Sequence, residues 1–80
     1  MKKDLLKRIV VDPEVISGKP IIRGTRIPID LILKLLAQGI SVEEILGDYP
    51  HLTKEDIQAA LLYGAKVIAN EDVFPANTAR

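Results

Sequence analysis

Two helix-start signals constrain the fold of this chain most. Ser41 is followed three positions later by Glu44, and Thr53 is followed in the same way by Asp56. In a capping box the hydroxyl of the N-cap residue accepts a hydrogen bond from the backbone amide three residues later. The acidic side chain of that later residue accepts one from the backbone amide of the N-cap residue. Tyr49–Pro50 lies between the two signals, and a residue before proline avoids the helical region. The pattern therefore predicts two capped helices joined by a short turn.

A further helix is expected before this pair. Pro28 is placed to be its first residue and Gly39 to end it. Four apolar residues between them share one face: Leu31, Ile32, Leu35 and Leu36. The last helix is expected from Lys54 to about Asn70, with this inward face: Ile57, Ala60, Leu61, Gly64 and Ile68. Glycine at position 64, in the middle of this helix, costs about 1 kcal/mol of helix stability relative to alanine. Close packing of another element against Gly64 would explain why a glycine is present there.

The first third of the chain is predicted to be extended. Two short runs rich in β-branched residues, Ile9–Val11 and Ile21–Arg23, indicate strands, and glycines between and after them indicate turns. At 80 residues, 48% of them hydrophobic, the chain is expected to form one domain that gains stability by self-association, as a homodimer. Its parts are an arm (1–28), a three-helix core (29–72) and a short tail (73–80). The expected fold class is mainly α with a β-hairpin arm.

Charge is divided unevenly along the chain. Residues 1–28 carry seven basic and three acidic side chains, whereas residues 29–72 carry three basic and eight acidic ones. The basic arm is therefore the better candidate for meeting phosphate. If the last two helices form a helix-turn-helix, the second would present its first turns to the major groove. The predicted DNA-binding residues are Lys19, Arg23, Arg26, Thr53, Lys54 and Gln58, with further charge from Lys2, Lys3, Lys7 and Arg8.

The outward face of the last helix is unusually apolar. The predicted partner-binding residues on it are Ala59, Leu62 and Tyr63, with Lys66 at the edge. A contiguous apolar stripe indicates a partner. Two alternatives remain for what covers the stripe. The arm (residues 9–27) can fold over it in the same chain, or a second protein can bind there.

Several function classes lack support. The pair Gly18–Lys19 is not a nucleotide-binding loop, because Pro20 follows where a hydroxyl residue is needed. His51 is the single histidine and cysteine is absent, so no metal site, cofactor or catalytic acid–base pair is expected. We expect a cytoplasmic protein that is not an enzyme, has no small-molecule substrate and does not enter a membrane, since no apolar run approaches the length needed to span one.

Three segments together resemble a known family, the domain of unknown function numbered 433. They are Asp12–Val15, Gly18–Pro28 and Tyr49–Thr53, with Asp56–Ile57 and Ala59–Leu61 after them. The resemblance implies a homeodomain-like helix-turn-helix bundle similar to VapB-type antitoxins. Carried onto this chain, the signature positions are Gly18, Pro20, Gly24, Thr25, Arg26 and Pro28.

The resemblance also implies a function. Such a protein would bind and neutralise a PIN-like nuclease toxin. The resemblance further implies that it can bind operator DNA and so repress its own operon. The short tail after Asn70 departs from the long toxin-wrapping segment of better-known antitoxins, so toxin capture would use the arm or the apolar helix face. The alternative is a protein-interaction or dimerisation module that does not bind DNA.

Overall fold

The computed structural model describes residues 4–71. They form a mainly helical protein with a two-stranded antiparallel hairpin, as the sequence predicts. The elements in chain order are β1 (Ile9–Val11), β2 (Pro20–Ile22), α1 (Ile29–Ala37), α2 (Val42–Asp48) and α3 (Lys54–Ile68). A 3-10 helix, Leu5–Arg8, precedes β1. The predicted tail (73–80), Lys2 and Lys3 lie outside the described residues.

The hairpin pairs Ile9 with Ile22 and Val11 with Pro20. The second strand therefore begins and ends one residue earlier than predicted. Arg23 leaves the strand because the chain turns immediately after it at Gly24, where φ is +79°. A residue with a side chain rarely adopts that backbone conformation, so the glycine allows the tight turn.

Helix α1 begins one residue later than predicted. Pro28 is extended, with ψ of 149°, and forms an isolated antiparallel bridge to Ile21. It is consequently the N-cap, and Ile29 becomes the first helical residue and is buried. Gly39 ends the helix as predicted, with φ of +88°, and the Ile40 amide donates back to the Leu35 carbonyl at 3.1 Å.

Both predicted capping boxes are present. In α2 the Glu44 amide donates to Ser41 Oγ at 3.1 Å, and the Ser41 amide donates to Glu44 Oε1 at 3.2 Å. In α3 the Asp56 amide donates to Thr53 Oγ1 at 3.2 Å, and the Thr53 amide donates to Asp56 Oδ2 at 2.9 Å. Each box satisfies donors that a helix start otherwise leaves unpaired.

The core is built mainly from isoleucines that the hairpin and all three helices contribute. Its buried members are Ile9, Ile22, Ile29, Ile32, Ile45, Leu52, Ile57, Ala59 and Ala60. The hairpin is thus part of the same core as the helices, and the described residues form one packed unit. None of the helices within residues 4–71 is long and apolar enough to cross a membrane.

The predicted inward face of α3 is wrong in part. Ile57 and Ala60 are buried as predicted, but Leu61 is 48% exposed and Ile68 is 87% exposed. Ala59, predicted to face a partner, is fully buried. The reason is that the 3-10 helix Leu5–Arg8 packs along α3 and covers the side that the helical pattern left outside. The cover therefore comes from the same chain, but from Leu5–Arg8 and not from the predicted segment 9–27.

Candidate functional site

A polar cleft opens where the N-terminus of α3 meets the 3-10 helix and the end of β2. It has a volume of about 580 Å³. Its lining residues are Asp4, Lys7, Arg8, Arg23, His51, Thr53 and Asp56. We refer to this set as the polar cleft. Three segments that are far apart in sequence thus bring three cationic side chains and one histidine to the start of one helix.

The strand register explains why two arginines lie at the same edge of the cleft. Ile9 pairs with Ile22, so Arg8 and Arg23 occupy the next positions of the two strands, and the Arg23 amide donates to the Arg8 carbonyl at 2.7 Å. Like charges directly opposite each other on a hairpin are unfavourable. The two guanidinium groups therefore need separate acceptors.

Arg8 finds its acceptor on α3. Its Nη1 donates to Asp56 Oδ1 at 3.2 Å, while Asp56 Oδ2 accepts from the Thr53 amide. The Asp56 side chain is only 7% exposed, whereas that of Arg8 is 43% exposed. One buried carboxylate thus completes the capping box and fixes the 3-10 helix to α3. Because Arg8 neutralises that carboxylate, Asp56 does not leave an unpaired negative charge at the floor of the cleft.

Arg23 finds its acceptor on the chain itself. Its Nε and Nη2 donate to the Lys7 carbonyl at 3.1 and 2.8 Å. These two hydrogen bonds hold the guanidinium group in place at the surface, and neither of them involves a carboxylate. Its positive charge therefore remains available to an external anion, because a carbonyl oxygen carries only a partial charge.

The loop after β2, residues 23–27, supports this arrangement, and we refer to it as the signature loop. Thr25 Oγ1 donates to the Ile22 carbonyl at 2.7 Å and accepts from the Ile27 amide at 3.0 Å. Together with the positive φ of Gly24, these bonds fix the turn that immediately follows Arg23. The residues that the family resemblance marks as structural therefore hold the cleft's second arginine in position.

The predicted DNA-binding residues divide into two groups. Arg23 and Thr53 line the polar cleft, and Lys54 and Gln58 lie on the adjoining exposed face of α3. The remaining two lie away from that lining. Lys19 Nζ pairs with Asp30 Oδ2 at 3.3 Å, beside the groove between α1 and the C-terminal half of α3. Arg26 is exposed in the loop before α1.

The predicted partner-binding residues are also separated. Ala59 is buried and cannot contact a partner in this fold, which corrects that prediction. Leu62, Tyr63 and Lys66 are half-buried on α3. Tyr63 instead lines an apolar groove between α1 and the C-terminal half of α3, so the apolar surface exists but lies further along the helix than predicted.

The sequence analysis names Lys7 and Arg8 as sources of charge for DNA binding, but it does not place them, or His51, beside the start of α3. The signal for Arg8 is the register, since pairing Ile9 with Ile22 places it beside Arg23. His51 is exposed in the turn between α2 and α3, two positions before the N-cap of α3, and lines the cleft. Within residues 4–71, no three His, Asp or Glu side chains gather in a way that could hold a metal ion.

Comparison with known proteins shows which family the chain belongs to. The chain is 36% identical over 55 residues to the uncharacterized protein y4eO of Sinorhizobium fredii, which covers 69% of the chain and 25% of that protein. It is 50% identical over 30 residues to an uncharacterized protein of Archaeoglobus fulgidus, covering 38% of the chain and 83% of that protein. The chain thus spans about a quarter of the length of the Sinorhizobium relative.

A solved structure shares both fold and sequence. The crystal structure of a DUF433 member protein from Anabaena variabilis aligns with a TM-score of 0.75 at 36% identity, covering 80% of this chain and 63% of that one. A family model described as "Protein of unknown function (DUF433)" matches residues 9–64, which include the hairpin, the signature loop and most of α3. The chain therefore belongs to the DUF433 family, as its sequence motifs predict.

Proposed function

We propose that the protein binds nucleic acid through the polar cleft and acts as the antitoxin of a toxin–antitoxin pair. The observation that carries the DNA part is the convergence of Arg8, Arg23 and His51 at the N-terminus of α3. In a helix-turn-helix, that end of the second helix approaches the DNA. Two capped helices joined by a short turn, α2 and α3, support a homeodomain-like motif used in this way.

The charge of the cleft favours an anion only modestly. Its cations are Lys7, Arg8 and Arg23, and its acids are Asp4 and Asp56, which leaves a net charge of +1 with His51 neutral. Glu55 follows on α3 and opposes phosphate. We therefore expect weak, steeply salt-dependent binding, because phosphate contacts release counterions.

Sequence preference would come from the exposed face of α3. Gln58 carries an amide that can form paired hydrogen bonds with adenine, and Lys54 can contact guanine or phosphate. Thr53 is exposed at the helix start and can contact a backbone oxygen. With one good reading side chain, discrimination against a wrong base should stay near the lower end of the usual range of about 1–3 kcal/mol.

The test is a fluorescence-anisotropy titration with a labelled duplex from the DNA preceding the gene and a scrambled duplex of equal length. Arg23→Glu and Lys54→Glu should weaken binding to both duplexes. Lys34→Glu, on the exposed side of α1, changes net charge equally and should bind like wild type. Absence of binding at low salt up to tens of micromolar protein, which is the ordinary range for non-specific contacts, would rule out the DNA part.

The toxin-neutralising part rests on the resemblance and on partly exposed side chains of α3. We propose that the half-buried residues Leu62 and Lys66 contact a PIN-like nuclease. Co-expression with the neighbouring gene should relieve growth arrest, and Leu62→Glu should abolish relief. Leu61→Glu, at the adjacent exposed position, is the matched control. Equal relief by both variants would exclude this surface.

The second candidate is a protein-interaction or dimerisation module without DNA binding. The apolar groove between α1 and α3 favours it, because a contiguous exposed apolar surface indicates a binding partner. It predicts that the variants Arg23→Glu and Lys54→Glu leave every binding property unchanged. A loss of DNA binding in those variants alone would decide against it as the sole function.

A further inference from the structure

A second surface of the molecule is unexplained by nucleic-acid or toxin binding. An apolar groove of about 390 Å³ lies between α1 and the C-terminal half of α3. Its lining residues are Lys19, Pro20, Ile29, Asp30, Leu33, Tyr63, Gly64, Val67 and Ile68. We refer to this set as the apolar groove. Its floor is aliphatic and aromatic, and its charged residues lie on one wall.

A glycine makes the groove possible. A Cβ atom built at Gly64 would lie 3.1 Å from Leu33 Cδ1, closer than ordinary van der Waals contact. The absence of a side chain there lets α1 approach α3 and leaves a concave surface between Leu33 and Tyr63. The helix-breaking residue that the sequence places in mid-helix therefore shapes the groove.

The edge of the groove carries protruding apolar side chains. Ile68 is 87% exposed and Val67 is 52% exposed, and both lie in the last turn of α3. Two adjacent aliphatic side chains at such exposure beside an apolar cavity form a projection and a recess on one surface. A two-fold symmetric interface requires this kind of self-complementary patch, because each copy presents the same residues to the other.

The charges around the groove are also compatible with a second copy. One wall carries the pair Lys19–Asp30 at 3.3 Å, and the end of α3 carries the pair Lys66–Glu71 at 3.2 Å. Both signs are thus present on the rim, and the chain has eleven basic and eleven acidic residues in total. Two copies therefore meet without net repulsion, whereas a strongly charged partner has no opposite field to match.

We propose that the apolar groove is the interface of a two-fold symmetric homodimer, in which Ile68 of each copy inserts into the groove of the other. The inference rests on the dimerisation candidate above, for which it names the partner, and it does not depend on nucleic-acid binding. Thr53 and Val67 are fourteen residues apart on one helix, which corresponds to about 21 Å at 1.5 Å per residue. Dimerisation at the groove therefore leaves both polar clefts open.

The test measures the mass of the full chain by sedimentation velocity from about 1 to 200 µM, a range that brackets ordinary micromolar affinities. Wild type should form dimers. Ile68→Asp should raise the dimer dissociation constant by about 100-fold or more, because each dimer buries two copies of this side chain. Leu61→Asp, at a 48% exposed position outside the groove lining, should dimerise like wild type.

A second measurement locates the contact directly. The chain contains no cysteine, so Ile68→Cys introduces a unique thiol. A short bismaleimide should join two copies of Ile68→Cys and should join copies of Leu61→Cys far less. A monomeric wild type at 200 µM would overturn the proposal and would fit a groove covered within its own chain. Equal dissociation constants for Ile68→Asp and wild type would overturn it as well.

Discussion

Replacing Asp56 with alanine should destabilise the protein far more than the equivalent change in the other capping box. Asp56 and Glu44 occupy the same position of two capping boxes. Glu44 is exposed and serves only its own helix, whereas Asp56 is 5% exposed and also accepts from Arg8 at 3.2 Å. The two variants therefore remove the same local interaction and differ in the tertiary one.

The magnitudes follow from the contacts. Loss of a capping interaction costs about 1 kcal/mol, so Glu44→Ala should lower the free energy of unfolding by about that amount. Asp56→Ala should lower it by about 2–3 kcal/mol, because a hydrogen bond to a charged group is lost as well and Arg8 is half-exposed. For a domain of this size, the loss of about 2–3 kcal/mol in Asp56→Ala corresponds to a fall in Tm of roughly 8–24 °C.

The assay is urea unfolding followed by circular dichroism, with all variants at one protein concentration. A double-mutant cycle with Arg8→Met should give a coupling energy of about 1 kcal/mol between Arg8 and Asp56. Equal losses for Asp56→Ala and Glu44→Ala, or a coupling energy near zero, would refute the assignment of Asp56 as the tie between the 3-10 helix and α3.

Three further predictions concern glycines and the cleft. Gly47→Ala should stabilise the fold by about 0.5–1 kcal/mol, because Gly47 is helical and a Cβ there meets no atom within 4 Å. Gly39→Ala should destabilise it by about 1–2 kcal/mol, because φ at Gly39 is +88°. Thermal melts should show a higher Tm for Gly47→Ala and a lower Tm for Gly39→Ala. Gly64→Val should lower the melting temperature while Gly64→Ala changes stability by less than about 1 kcal/mol, since Leu33 Cδ1 is the end of a flexible side chain. Arg23→Gln should reduce the slope of log affinity against log salt by about 1 in a DNA titration.

The helix starts could be predicted from sequence because capping is a local interaction. Ser41 and Glu44, or Thr53 and Asp56, meet within a single turn, so no distant residue decides whether the box forms. The end of α1 is similar, because Gly39 is needed for its positive φ wherever the rest of the chain lies. These elements were predicted correctly for that physical reason.

The orientation of α3 could not be predicted in the same way. A helix with apolar residues at many positions can bury several overlapping faces, and the choice depends on what packs against it. Here the 3-10 helix Leu5–Arg8 selects the side with Ala59, whose small side chain permits close approach, and leaves Leu61 and Ile68 outside. The sequence of α3 alone does not determine which face is buried. The predicted partner surface therefore differs from the exposed apolar surface of the structure, which lies further along the helix.

The polar cleft lies between these two cases. Its separate parts, a basic arm and a capped helix, are visible in the sequence, and Arg23 and Thr53 were both predicted as site residues. Their meeting with Arg8 depends on the hairpin register, which pairs Ile9 with Ile22. A register one residue different would turn the strand side chains to the opposite face, so the cleft required the three-dimensional fold.

The most direct test of the central claim is an amide-resolved NMR titration of the protein with a short DNA duplex. The account predicts that the largest chemical-shift changes surround the polar cleft and the first turns of α3, at Lys7, Arg8, Arg23, Thr53 and Lys54, and that they diminish as salt is raised. Changes concentrated instead at the apolar groove, around Val67 and Ile68, or no changes at low salt, would contradict it.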